Sequence, residues 1–118
     1  MPRYYEIFLR HVIESIEKIE LFTEGIGKGE FLELEEKQGA VIRKIEIIGE
    51  AVKNVSDAIK EKYPEIPWIK IAGTRDKLIH GYFGVNIERI WFIVEKDLPE
   101  LKRQIQKILN EEQAEKTP

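Results

Sequence analysis

Apolar residues recur every third or fourth position over most of this chain, and that spacing restricts its fold more than any other feature. Phe8, Leu9, Val12, Ile16, Ile19 and Phe22 fall on one stripe of a helix beginning near Tyr5, because residues three and four apart are neighbours on a helical surface. A longer series, Val41, Ile45, Ile48, Val52, Val55 and Ile59, alternates steps of four and three. It reads as one continuous helix with a heptad-like seam, suited to antiparallel or dimeric packing. Ile87, Ile90, Trp91, Val94, Leu98, Leu101, Ile105 and Ile108 share a face of the last helical stretch. No segment alternates apolar and polar residues between turn signals, as half-buried strands require.

The punctuation agrees with helices. Gly25, Gly27 and Gly29 end the first stretch, and a short piece, Phe31 to Leu34, leads into the second. Tyr63-Pro64-Glu65-Ile66-Pro67-Trp68 stops the seam, with Pro67 placed to open a shorter helix from Trp68 to about His80. Gly81 and Gly84 supply backbone that closes a helix, and Asn86 is an N-cap for the next. Asp97-Leu98-Pro99-Glu100 resembles a capping box with proline in the first turn, so the last stretch is expected to kink or split there. The expected fold is all-α, an up-and-down bundle of four to five helices over residues 1–110, followed by a polar tail, 111–118, that frays. A chain of 118 residues suits one domain.

Composition narrows the chemistry. There is no cysteine, and the two histidines, His11 and His80, are isolated, so neither a thiolate nor a histidine-built metal site is expected. No cofactor is expected either. A net charge of −3 argues against a broad basic surface for nucleic acid, while leaving room for a local basic patch. No apolar run approaches the roughly 20 residues that span a bilayer, and no leader is evident, so a cytoplasmic protein without membrane contact is expected.

Gly73-Thr74-Arg75-Asp76-Lys77-Leu78-Ile79-His80-Gly81-Tyr82 is the segment that carries chemistry, gathering a permanent cation, an imidazole and a phenol near a helix end. Arginine presents a planar fork that matches phosphate oxygens, and histidine exchanges a proton near neutrality. Asp76 and His80, four apart, share a helical face, so the carboxylate could orient the ring. Arg75 and His80, five apart, are separated by about 140° around the axis. A cleft between two subunits could gather groups that one copy holds apart. The plainer readings are an Arg75 paired with a neighbouring acid, a His80 bonded at a helix end, and a half-buried Tyr82. His11 reads as surface or dimer-seam structure, Glu50 and Lys53 as solvated helix residues that could instead face the cleft, and Trp68 and Trp91 as core anchors.

Arg75-x4-His80-x-Tyr82 resembles the signature of the HepT-like toxins, within the superfamily of higher-eukaryote and prokaryote nucleotide-binding (HEPN) domains. Gln38-x-Ala40-Val41-Ile42-Arg43, Ile45 to Ala51, Tyr63 to Trp68 and Asp97-Leu98-Pro99-x-Leu101 are similar to that family in the same order. Asp76 departs from it, since many relatives have asparagine there. The resemblance implies a metal-independent endoribonuclease that leaves 2′,3′-cyclic phosphate and 5′-hydroxyl ends, with RNA as substrate. It further implies a homodimer, acting as the toxin partner of a minimal nucleotidyltransferase antitoxin. By the same resemblance Arg75 and His80 are catalytic, Asp76 supports or orients, and Tyr82 is an AMP acceptor or cleft residue. The alternatives are a non-catalytic module that binds a nucleotide or docks the nucleotidyltransferase, and a purely structural helical dimer.

Overall fold

The computed structural model describes residues 4–80 and 86–116, and every regular element among them is helical, as the apolar spacing predicts. Helix α1 (Tyr4–Thr23) buries Leu9, Val12, Ile16 and Ile19 completely. Its end is closed by the Thr23 hydroxyl donating to the Ile19 carbonyl at 2.8 Å. Gly25 then turns the chain with φ of 74°, a left-handed conformation that costs glycine little. A single-turn helix, α2 (Lys28–Phe31), follows, and Phe31 is fully buried. The Gln38 side-chain amide donates to the carbonyls of Phe31 and Leu32 at 3.0 and 3.1 Å, closing the entry into α3 (Glu35–Lys53).

The seam expected to form one helix through Ile59 is instead broken into two. α3 ends at Lys53, where the Asn54 amide donates to the Glu50 carbonyl at 2.9 Å. The Ser56 hydroxyl then accepts from the Ile59 N–H at 3.4 Å and caps α4 (Asp57–Lys62). The two side chains satisfy backbone groups that a continuous helix would have paired internally. Val52, Val55 and Ile59 stay buried across the break, which is why their spacing mimics an unbroken helix.

Helix α5 (Trp68–His80) matches its expected span. The Pro67 carbonyl accepts from the Ile71 N–H at 3.0 Å, and the Trp68 indole donates to the Tyr63 carbonyl at 2.9 Å. Asn86 caps α6 (Ile87–Phe92), its side-chain oxygen accepting from the Arg89 N–H at 3.2 Å. Gly81 and Gly84 lie outside the described residues. No capping box forms at Asp97. The chain runs through a π-helical turn (Ile93–Asp97), in which the Leu98 N–H donates to the Ile93 carbonyl, and continues directly into α7 (Leu98–Lys116). A wider turn accommodates Pro99, which has no N–H to give to a preceding turn.

α3 packs against both α1 and α5, α7 packs against α1, and α2 lies on α6 through the Phe31 and Trp91 rings, 5.2 Å apart. Both tryptophans are buried. Lys102 reaches from α7 to Glu20 of α1 at 2.8 Å.

The segment predicted to fray is helical through Lys116 and pinned at Glu112, which is only 6% exposed. Its carboxylate accepts from the Tyr63 hydroxyl and from Lys62 Nζ, each at 2.7 Å, and Lys62 also reaches Glu115 at 2.8 Å. A buried carboxylate with two donors holds where an isolated polar tail would not. Burial, then the bond to Glu112, pushes the Tyr63 phenol well above its ordinary value of 10.0. The folded protein therefore keeps a proton that the unfolded chain releases from about pH 10 upward. Stability is expected to fall as pH rises past 10, and Tyr63→Phe should flatten that fall while lowering neutral-pH stability by about 1–2 kcal/mol. Urea unfolding between pH 7 and 12 measures both effects, and an unchanged alkaline slope would mean that the phenol is not the titrating group.

Candidate functional site

The candidate site is built where α5 meets α3. Gly49 is buried at the crossing, and a Cβ placed on it would lie 2.5 Å from the Cβ of Arg75 and 3.3 Å from the Ile71 carbonyl oxygen. Only a residue without a side chain allows this approach. The neighbouring Glu50 is thereby brought alongside Arg75, whose Nε lies 2.9 Å from Glu50 Oε2. Asp76 completes the cluster: its Oδ1 lies 3.4 Å from Arg75 Nη1 and 3.7 Å from Lys53 Nζ. Two acids and two bases thus alternate, with Arg75 the most enclosed, its side chain 27% exposed.

Arg75 and Glu50 form one wall of a cleft of about 260 Å³. The start of α1 supplies Phe8 and His11 to its lining, and α3 also supplies Arg43 and Glu46. A larger groove, about 760 Å³, runs along the other side of α5 and is bordered by Gly73, Thr74 and Lys77, next to Arg75 in sequence. Its rim includes Ile69, which is 90% exposed.

Residues 12–108 match the family model described as Ribonuclease HepT-like. This chain belongs to that family. Among its relatives, a protein of Thermococcus cleftensis named "Probable ribonuclease HepT" is 46% identical over 108 residues, covering 92% of this chain and 98% of the relative. A protein of Caldanaerobacter subterraneus subsp. tengcongensis named "Putative RNase" is 43% identical over 111 residues, covering 94% and 96% of the two chains. A Methanocaldococcus jannaschii protein named "Gamma-glutamylcyclotransferase and putative RNase" is 47% identical over 111 residues. That match takes in 94% of this chain but spans only half the length of the relative. No solved structure gives a significant match.

Within this HepT-like chain, Arg75 stands on the cleft wall, while His80 is the last residue of α5, with its side chain outside the described residues. The continuous α-helix between them keeps their Cα positions about 140° apart around the axis. Asp76 is engaged on the side of Lys53 and Arg75. Tyr82 lies outside the described residues. Sequence reasoning took Glu50 and Lys53 as solvated, with a place facing the cleft as the alternative, and His11 as surface or seam; all three are exposed. In the fold the first two pair with Arg75 and Asp76, and His11 lines the Arg75 cleft. The signal for Glu50 was the glycine beside it, since a helix-interior glycine marks a close approach. His11 carried no comparable signal. Among the described residues no three metal-binding side chains are grouped to hold an ion, and no helix is long and apolar enough to cross a membrane.

Gly49→Ala should lower stability by about 1–3 kcal/mol, because the added methyl group pushes α5 away from α3. Gly39→Ala, elsewhere on α3 with nothing within 4 Å of its added Cβ, should be neutral or stabilising by up to about 1 kcal/mol. Chemical denaturation of the pair tests the crossing; equal effects would show that the Gly49 contact relaxes without cost.

Proposed function

We propose that this protein is a metal-independent endoribonuclease that cleaves RNA by attack of a ribose 2′-oxygen on the adjacent phosphorus. The observation that carries the reading is an arginine fixed on a cleft wall, on the helix that ends in His80, in a chain of the Ribonuclease HepT-like family. Glu50 grips Arg75 through Nε and Asp76 reaches Nη1 at 3.4 Å, an arrangement that fixes the guanidinium and leaves Nη2 to meet a phosphate. In the reaction the 2′-hydroxyl loses its proton, the new P–O bond closes the 2′,3′-cyclic phosphate, and the bond to the 5′-oxygen breaks as that oxygen gains a proton. His80 takes the first proton or supplies the second, and Arg75 stabilises charge on the phosphoryl oxygens.

The acting form is a homodimer. Support comes from the exposed Ile69 on the groove along the other side of α5 from the Arg75 cleft and from the angular separation of Arg75 and His80, which a cleft shared by two copies would overcome. Its setting is a toxin paired with a nucleotidyltransferase antitoxin. The antitoxin transfers AMP from ATP to the Tyr82 hydroxyl with release of pyrophosphate, and the added anion beside Arg75 and His80 repels RNA. Asp76 helps to orient the cluster.

Incubation of EDTA-treated protein with total cellular RNA, followed by mapping of fragment ends, tests the reading. Cyclic-phosphate ends are expected from the unchanged protein. A rate loss of about 10²–10⁴ is expected for His80→Ala, and of about 10²–10³ for Arg75→Ala. Intact RNA with every form, each folded and dimeric, would favour a non-catalytic nucleotide-binding or docking module instead.

A further inference from the structure

We infer that the cleft between α1, α3 and α5 is a nucleobase subsite selective for guanine, an assignment that rests on the nuclease reading and gives it a sequence preference. The cleft adjoins Arg75, so a base lodged there belongs to a nucleotide flanking the phosphate that Arg75 holds. At about 260 Å³ it lies just under the roughly 300–1,000 Å³ of pockets for drug-sized ligands, which suits a single base.

Its walls suit a base better than a phosphate. Phe8 and the His11 imidazole stand edge to face, 6.4 Å between centroids and 87° between planes, making an aromatic surface for a base to lie against. Ile47 and Ala51 of α3 add apolar lining. The charged groups come as matched pairs, Arg43 with Glu46 and Arg75 with Glu50, so their charges cancel and leave little pull on a second phosphate. A paired cation and carboxylate do, however, complement one base edge closely. Guanine presents the O6 acceptor beside the N1–H and N2–H donors. Arg43 would donate to O6 while the Glu46 carboxylate accepts from N1–H and N2–H. The other three bases offer the carboxylate at most one donor on that edge, next to acceptors that it repels.

The two side chains are already arranged for this. Arg43 Nη1 and Glu46 Oε2 lie 3.3 Å apart; the arginine is 69% exposed and the carboxylate 19% exposed. An exposed pair of this kind is weak, so the base edge can take over its contacts. Spaced three apart on α3, both residues project from the same helical face.

Isothermal titration calorimetry of the full chain with guanosine, adenosine, cytidine and uridine 5′-monophosphates tests the assignment. The guanosine nucleotide is expected to bind roughly tenfold more tightly than the others, the order of a good bidentate base contact. Glu46→Gln should erase that margin, and Arg43→Gln, at a largely exposed position, should reduce it with the helical circular dichroism spectrum unchanged. Equal affinity for the four nucleotides, no saturable binding of any of them, or a margin that survives both substitutions would overturn the subsite. Mapping cut sites in RNA separates the two proposals. Guanine selectivity in calorimetry without RNA cleavage would sink the nuclease reading and leave the subsite standing. Cleavage indifferent to neighbouring guanine, with no calorimetric margin, would remove the subsite alone.

Discussion

The approach of α5 to α3 at Gly49 is the constraint from which the rest of the site follows. A methyl group at that crossing would collide with the Cβ of Arg75, so the absence of one sets how near the two backbones lie. Near contact then decides which side chains can meet: Glu50 with Arg75, and Lys53 with Asp76. An arginine on an exposed helix ordinarily samples many rotamers, and ordering it costs conformational entropy. Here the ordering is done by the fold, before any ligand arrives.

Electrostatics follow the same logic of local arrangement inside an acidic chain. With a net charge of −3, the protein as a whole does not attract nucleic acid, and long-range steering toward RNA is weak. Partly enclosed charges are screened less than those in open water, so the Arg75 guanidinium, though paired with Glu50, still acts on a group in direct contact with it. The neutralising carboxylates beside it leave that positive charge confined to a small region, which favours discrimination over indiscriminate adhesion.

Helix-forming stripes were legible in the sequence because burial imposes the same three- and four-residue spacing wherever a helix meets the core. α1 followed from it, α5 was legible from Pro67 before it and the glycines after it, and Asn86 was legible as a cap from residue type alone. Spacing could not reveal the break at Asn54 and Ser56, since Val52, Val55 and Ile59 remain on the core side across it; the capping residues were the local cue. The burial of Glu112 depends on Tyr63 and Lys62, some fifty positions earlier, and no local pattern encodes a partner at that distance. The same holds at the site: the motif around Arg75 drew attention to α5, whereas Glu50, Arg43 and His11 joined it only through the packing of three helices.

The π-helical turn at Ile93–Asp97 has a consequence for how this chain tolerates change in length. It holds one residue more than an ordinary helical turn, and so sets the phase between the face of α6 that carries Trp91 onto Phe31 and the face of α7 that lies on α1. Winding all five residues into regular α-helix would rotate the upstream half by about 100° relative to the downstream half. Trp91 would swing out of the core while Leu101 and Ile105 stayed in it. Loss of one residue, which leaves an ordinary α-helical turn and keeps both faces in phase, is therefore the change in length that this short stretch, none of whose residues is buried, can absorb.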